Sequence, residues 1–228
     1  MADYWMDGTS YIVYDDGVDE WSDTCGEYCQ GVGLATCTAG ACSTTQIATI
    51  NVYATIGAVV TIGADGNPAV VYEDSGFGYE GLPNLVHYYT NESDVVVASN
   101  ACAAGVRGEC GGGIKAQDMA MGPDGFARIA YWSAPNVPED VDFILCADAA
   151  CSAHSTSPIF FSWQGDSDLA LSLAVGADGE ARISGGSDYL RCWTADCSSY
   201  SDQTVPGSWT GGSISLAALD GNPRIVRC

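Results

Sequence analysis

Ten of the eleven cysteines in this 228-residue chain fall in close pairs: Cys25/Cys29, Cys37/Cys42, Cys102/Cys110, Cys146/Cys151 and Cys192/Cys197. Cys228 is left over. Close pairs hold either a metal or a disulfide. Structural zinc prefers C-x2-C knuckles with a second pair or histidines nearby. Here the recurrent spacing is C-x4-C, at 37/42, 146/151 and 192/197, and the only histidines are His87 and His154. Local disulfides are the expected use, and disulfides of this density imply an oxidising compartment. Cys228 is then either unpaired or bonded to another chain.

Other constellations are thinner. His87 lies in LVHYYTN, a strand-like run where a packed or surface imidazole is the plainer reading than a general base. His154 lies in SAHSTS, beside a cysteine turn. No G-x-S-x-G elbow is present. Acidic residues are abundant enough that a glycosidase-type carboxylate pair stays open. Calcium is the metal the sequence would suit, because it needs six to eight oxygen ligands. Asp15, Asp16, Asp19, Glu20 and Asp23 crowd one short stretch, although no EF-hand spacing is met and a solvated acidic loop competes. Glu139, Asp140 and Asp142, with Asp166 and Asp168, make weaker groups. Sugar sites use exposed aromatic faces. The candidates are Trp21 in the acidic stretch, Trp132, Trp193 inside a cysteine turn, and Tyr79. Trp163 and Trp209 sit at matching points of their repeats, as core residues do. Asn91-Glu92-Ser93 is a glycosylation sequon, meaningful only with the matching export machinery.

Charge removes whole classes of partner. There are 29 acidic and 7 basic residues, a formal net of −22, with Lys115 the only lysine. Six scattered arginines make no phosphate-neutralising surface, so nucleic acid and anionic lipid are not expected partners. Hydrophobic residues reach 47% and charged residues 16%, the balance of a folding chain. No apolar run is long enough for a membrane helix. Met1–Ser10 is polar and acidic rather than signal-like, so the leader of an exported protein would have been removed or lie outside this sequence.

These residues sit on a repeat. Asp7-Gly8, Asp65-Gly66, Asp124-Gly125, Asp178-Gly179 and Asp220-Gly221 each precede a short β-rich run, and four of them follow an apolar-alternating one. The spacings are 58, 59, 54 and 42 residues. Strand, Asp-Gly, strand predicts a hairpin with a type I′ turn, whose two central residues both take positive φ. The cysteine pair is expected later in each unit as a staple on a tight turn, with a final strand after it. About four antiparallel strands per unit, with almost no helical periodicity, predicts an all-β, β-propeller-like repeat of four to five blades. The units are approximately 1–55, 56–115, 116–168, 169–211 and a partial 212–228, read as one repeat domain. Such a half unit would leave strand edges open to pairing with another chain.

Ile62-Gly63-Ala64-Asp65-Gly66-Asn67-Pro68 through Tyr72-Glu73-Asp74, Val175 to Ile183, and Leu145 to Cys151 resemble the units of secreted bacterial repeat proteins common in myxobacteria. Those units read roughly I-G-x-D-G-x-P-x-I-S-Y-x-D, then a strand, then C-x4-C. The resemblance runs in degenerate copies over nearly the whole chain. It implies an exported, propeller-like protein and brings no activity or site.

Three functions fit. The first is a non-catalytic extracellular assembly module, a surface-layer, fibre or filament subunit whose partner is itself. The second is a lectin-like propeller that binds glycans, with calcium as a possible aid. The third is a glycoside hydrolase. Each places the protein outside the cell or on its surface.

Overall fold

The computed structural model describes residues 2–4, 8–15, 29–51, 57–75, 84–91, 93–100, 115–133, 140–160, 171–185, 188–205, 212–216 and 223–227. The chain divides into two compact units, Met1–Ala116 and Gln117–Cys228.

The first unit holds two four-stranded antiparallel sheets in simple meander order. One contains β1 (Ala2–Tyr4), β2 (Thr9–Asp15), β3 (Cys29–Thr38) and β4 (Ala41–Asn51). The other contains β5 (Ala58–Ile62), β6 (Pro68–Ser75), β7 (Asn84–Thr90) and β8 (Ser93–Asn100). The two pack face to face through Val13, Val32 and Leu34 on one side and Val60, Val70 and Tyr72 on the other.

The second unit repeats the plan. Its sheets are β9 (Lys115–Met121), β10 (Ala127–Trp132), β11 (Asp140–Cys146), β12 (His154–Phe160), then β13 (Leu171–Val175), β14 (Ala181–Gly185), β15 (Asp188–Cys192), β16 (Tyr200–Thr204). A further pair, β17 (Gly212–Leu216) and β18 (Pro223–Arg227), follows. Trp132, Val141, Phe143 and Ile159 of one sheet meet Leu173, Ile183 and Leu190 of the next. β10 and β14 are buried along their whole length, because both faces are covered. β12 is mostly exposed, as a last strand should be. The expected all-β fold of four-stranded antiparallel units with local disulfides is therefore the observed one.

Turn chemistry differs from the expectation. At Gly63–Asn67 the Gly66 N–H bonds the Gly63 carbonyl at 3.0 Å, and the Gly63 N–H bonds the Asn67 carbonyl at 2.8 Å. The same pair of bonds recurs at Gly122–Phe126 and Gly176–Glu180. Gly66, Gly125 and Gly179 have φ of 80°, 82° and 80°, whereas the preceding aspartates are not in the left-handed region. These are three-residue hairpin loops, in which a single left-handed glycine closes the turn as a bulge, and not type I′ turns. The aspartate side chain braces the loop instead. Its carboxylate accepts the N–H two residues on, at Asn67 (2.9 Å), Phe126 (3.1 Å) and Glu180 (3.0 Å). Two consecutive left-handed residues do occur elsewhere, at Ala39 (φ 52°) and Gly40 (φ 85°) between β3 and β4.

The C-x4-C pairs also split into two kinds. Cys37 and Cys42 are directly opposed across that two-residue hairpin and form a disulfide. Cys146–Cys151 and Cys192–Cys197 close longer turns between β11 and β12 and between β15 and β16. There the second cysteine itself takes the left-handed position, with φ of 53° at Cys151 and 55° at Cys197. Between β7 and β8 the turn is Thr90–Ser93 and carries no cysteine.

Candidate functional sites

In the first unit, strand alternation and register gather four polar side chains. Tyr72 and Asp74 are two apart on β6 and so share a face. Tyr72 is opposite His87 on β7, and the rings stack at 4.8 Å and 12°. Asp94, at the start of β8, joins them: it accepts the Tyr72 hydroxyl proton at 2.8 Å and lies 3.2 Å from His87 Nδ1. By register, Asp74 and Asp94 lie on opposite sides of the stacked ring pair. Burial raises the Asp74 carboxyl above the usual range, partly opposed by His87. Burial and the neighbouring Asp94 push the Tyr72 phenol upward too. The His87 side chain is 15% exposed and that of Asp94 39%, so solvent reaches the cluster from the β8 side. His87 Nε2 is buried without a hydrogen-bond partner.

In the second unit a charged ladder runs outward from the β13–β14 hairpin. Arg182 Nη2 meets Asp178 at 2.7 Å, and its Nη1 also reaches the Asp178 carboxylate at 2.9 Å. The Arg182 guanidinium, with two backbone N–H groups, holds Asp178 down at about 2. Arg128 and Asp124 make the same clamp one sheet earlier, at 2.7 Å. The second ladder goes further. Glu180 accepts from Arg191 Nε at 2.8 Å and Nη2 at 2.6 Å, and lies 3.4 Å from Arg182. Arg191 in turn sits over the Trp193 ring, 4.2 Å from its centroid. Trp193 is 49% exposed.

A third polar group is structural. Asp118 on β9 is 6% exposed. It accepts the Met119 N–H at 2.9 Å, the Leu173 N–H at 2.7 Å and the Ser172 hydroxyl at 3.2 Å. Burial raises its carboxyl and the three donors oppose that. Ser172 repeats the arrangement one sheet on by accepting the Ile214 N–H at 3.1 Å. In the second unit the first strand of each sheet is thus pinned to the first strand of the next, β9 to β13 and β13 to β17.

Some of the residues singled out in the sequence are placed, and others lie outside the described residues. Trp132 is 2% exposed in the core against Phe143 and Leu173, so it is a packing residue and no ligand platform. Trp193 is exposed as expected. Asp142 receives the Tyr131 hydroxyl at 3.1 Å. Asp15 ends β2 and Cys29 begins β3. Asp16, Asp19, Glu20, Trp21, Asp23, Cys25, Tyr79, Cys102, Cys110, Glu139, Trp163, Asp166, Asp168, Trp209 and Cys228 lie outside the described residues. Among the described residues, no group of three His, Cys, Asp or Glu side chains could hold a metal ion. None of the described residues forms a helix long and apolar enough to cross a membrane. The sequence alone does not single out Asp74, Asp94 and Tyr72, because only strand register brings them together.

No family model matches the chain, and no curated protein does. Solved structures do. A mutant of the α-L-arabinofuranosidase Arb93A from Fusarium graminearum, in complex with an iminosugar inhibitor, aligns with a TM-score of 0.64 at 12% identity, over 96% of this chain and 67% of that one. A second structure of the same enzyme with an iminosugar inhibitor aligns at 0.62 and 13% identity, over the same shares. At such identity the likeness shows a fold, the β-propeller-like arrangement, and nothing of the chemistry.

Proposed function

We propose that this protein is an exported carbohydrate-active propeller that hydrolyses glycosidic bonds, with Asp94 and Asp74 as its carboxylate pair. The observation that carries the reading is the cluster on the β6–β8 face. Asp94 accepts the Tyr72 hydroxyl and faces His87 on the more exposed side of the cluster. Asp74, on the other side of the ring pair, is raised by burial. Two carboxyls in unlike environments are what splits the roles of base and proton donor in glycoside hydrolysis. A sugar unit that reached His87, whose side chain is 15% exposed, would have one carboxyl on each side along the strands. Solved structures of this fold belong to an arabinofuranosidase, which makes that substrate class the first to test. The disulfides and the −22 charge support export.

The test is a panel of chromogenic aryl glycosides and neutral polysaccharides, α-L-arabinofuranosides included, with released sugar measured from pH 3 to 8. A raised Asp74 acts as proton donor only while protonated, so the rate is expected to fall as pH rises through its folded pKa. No sugar release from any member would reject the hydrolase reading. The assembly reading keeps one discriminating observation: regular filaments of the non-reduced protein in negative stain.

A further inference from the structure

The Glu180–Arg191–Trp193 ladder is not part of the repeat framework. The preceding sheet shows what the framework needs. Its hairpin has the same Asp124–Arg128 clamp, and Arg128 is opposite Leu145 as Arg182 is opposite Arg191. Position for position, that sheet has Phe126, Leu145 and Ala147 where this one has Glu180, Arg191 and Trp193. Stability of the blade therefore does not call for the ladder. Yet its parts are held firmly. Glu180 fixes Arg191 through two N–H groups and is itself drawn toward Arg182, whose side chain is 6% exposed. The Trp193 N–H is bonded to the Ser199 carbonyl at 2.7 Å, next to the Cys192–Cys197 bridge.

We infer that Trp193, backed by Arg191 and Glu180, is a glycan-binding platform separate from the Asp74/Asp94 cluster. Arg191 lies over one face of the indole, and the residue as a whole is still 49% exposed. A preorganised indole with an open face stacks against the C–H face of a pyranose, and little entropy is lost when it does so. Polar side chains suited to a sugar's hydroxyls lie across from Arg191 and Tyr189. Ser201 is opposite Arg191 on β16, and Gln203, exposed, follows on the same face. Charge selects the class of glycan. Arg191 is already neutralised by Glu180, and the molecule carries −22, so an anionic polysaccharide is repelled over several ångströms. The ligand is a neutral polysaccharide.

Affinity electrophoresis of the whole protein tests this, in native gels cast with a mixed-linkage β-glucan, a xylan or a galactomannan, and with polygalacturonate as the anionic counterpart. At least one neutral polymer should retard the protein. Trp193→Ala should weaken that retardation about tenfold, Trp193→Phe should restore part of it, and polygalacturonate should have no effect. Near-ultraviolet circular dichroism shows whether each variant is folded. Asp94→Asn should bind like the wild type, and Trp193→Ala should keep its rate on a small aryl glycoside, which separates this site from the hydrolase reading. No retardation by any neutral polymer, retention by polygalacturonate alone, or a folded Trp193→Ala that binds normally would each overturn the inference.

Discussion

Glycine in the G-x-D-G turn has two separate duties, one at each end. The second glycine supplies the left-handed backbone. The first has no positive φ, and is required for space. A Cβ at Gly122 would lie 2.6 Å from the Asp124 carboxylate and 3.0 Å from the Arg128 guanidinium. At Gly176 it would run into Asp178 and stand 2.7 Å from Arg182 Nη1. The carboxylate–guanidinium clamp therefore rests on a bare backbone. Gly122→Ala or Gly176→Ala should cost about 1 kcal/mol in urea unfolding, by pushing the clamp off its seat. The clamp also has a pH signature. Asp178 is depressed from 3.8 to about 2, so what it contributes is present above 3.8 and lost as pH falls from there toward about 2. Its side chain is 44% exposed, which limits that contribution to about 1 kcal/mol or less. Urea unfolding of Asp178→Asn should show it weaker than wild type at pH 7, with the two converging near pH 2. The Asp-Gly pairs are plain in the sequence as turns. Their turn type is not, because a left-handed Asp-Gly pair and a glycine bulge after aspartate read alike until the hydrogen bonds are seen.

Strands, hairpins and staples are the most legible elements. Alternating Val, Ile and Tyr around a turn leave little choice but a hairpin. What spacing does not separate is the geometry inside C-x4-C. Cys37-Thr38-Ala39-Gly40-Ala41-Cys42 puts both cysteines in the ladder, across a two-residue turn with an alanine at φ 52°. In the other two turns the disulfide cysteine carries the left-handed strain itself. An L-residue other than glycine, asparagine or aspartate is penalised in that region. Ala39→Asn, which matches the residue type such a turn prefers, should raise stability by roughly 0.5–1 kcal/mol in thermal or urea melts. A drop would mean that the turn is of another type. The β7–β8 hairpin shows the limit of repeat reasoning. Repetition places a cysteine pair at its turn, but the turn is Thr90–Ser93 and the pair falls beyond β8.

At the scale of the whole molecule, fold and function are unequally readable. The propeller-like repeat follows from periodic turns and strands and is supported by a TM-score of 0.64 against solved structures. The cluster around Asp94 is invisible in the sequence for a physical reason. Tyr72, His87 and Asp94 come from three strands and meet only through register, including an irregularity between Val86 and His87. Read alone, His87 is one more aromatic neighbour in a strand. Trp193 and Trp132 show the converse. Both are tryptophans near strand ends, and only packing separates the exposed one from the buried one.

The central claim is that Asp94 and Asp74 cleave glycosidic bonds, and the most direct measurement is the initial rate of sugar release by wild type, Asp94→Asn and Asp74→Asn on the best substrate of the panel. Loss of an acid or base should lower the rate about 10²–10⁴-fold in each variant with the circular dichroism spectrum unchanged. Folded variants that release sugar as fast as the wild type would contradict the account.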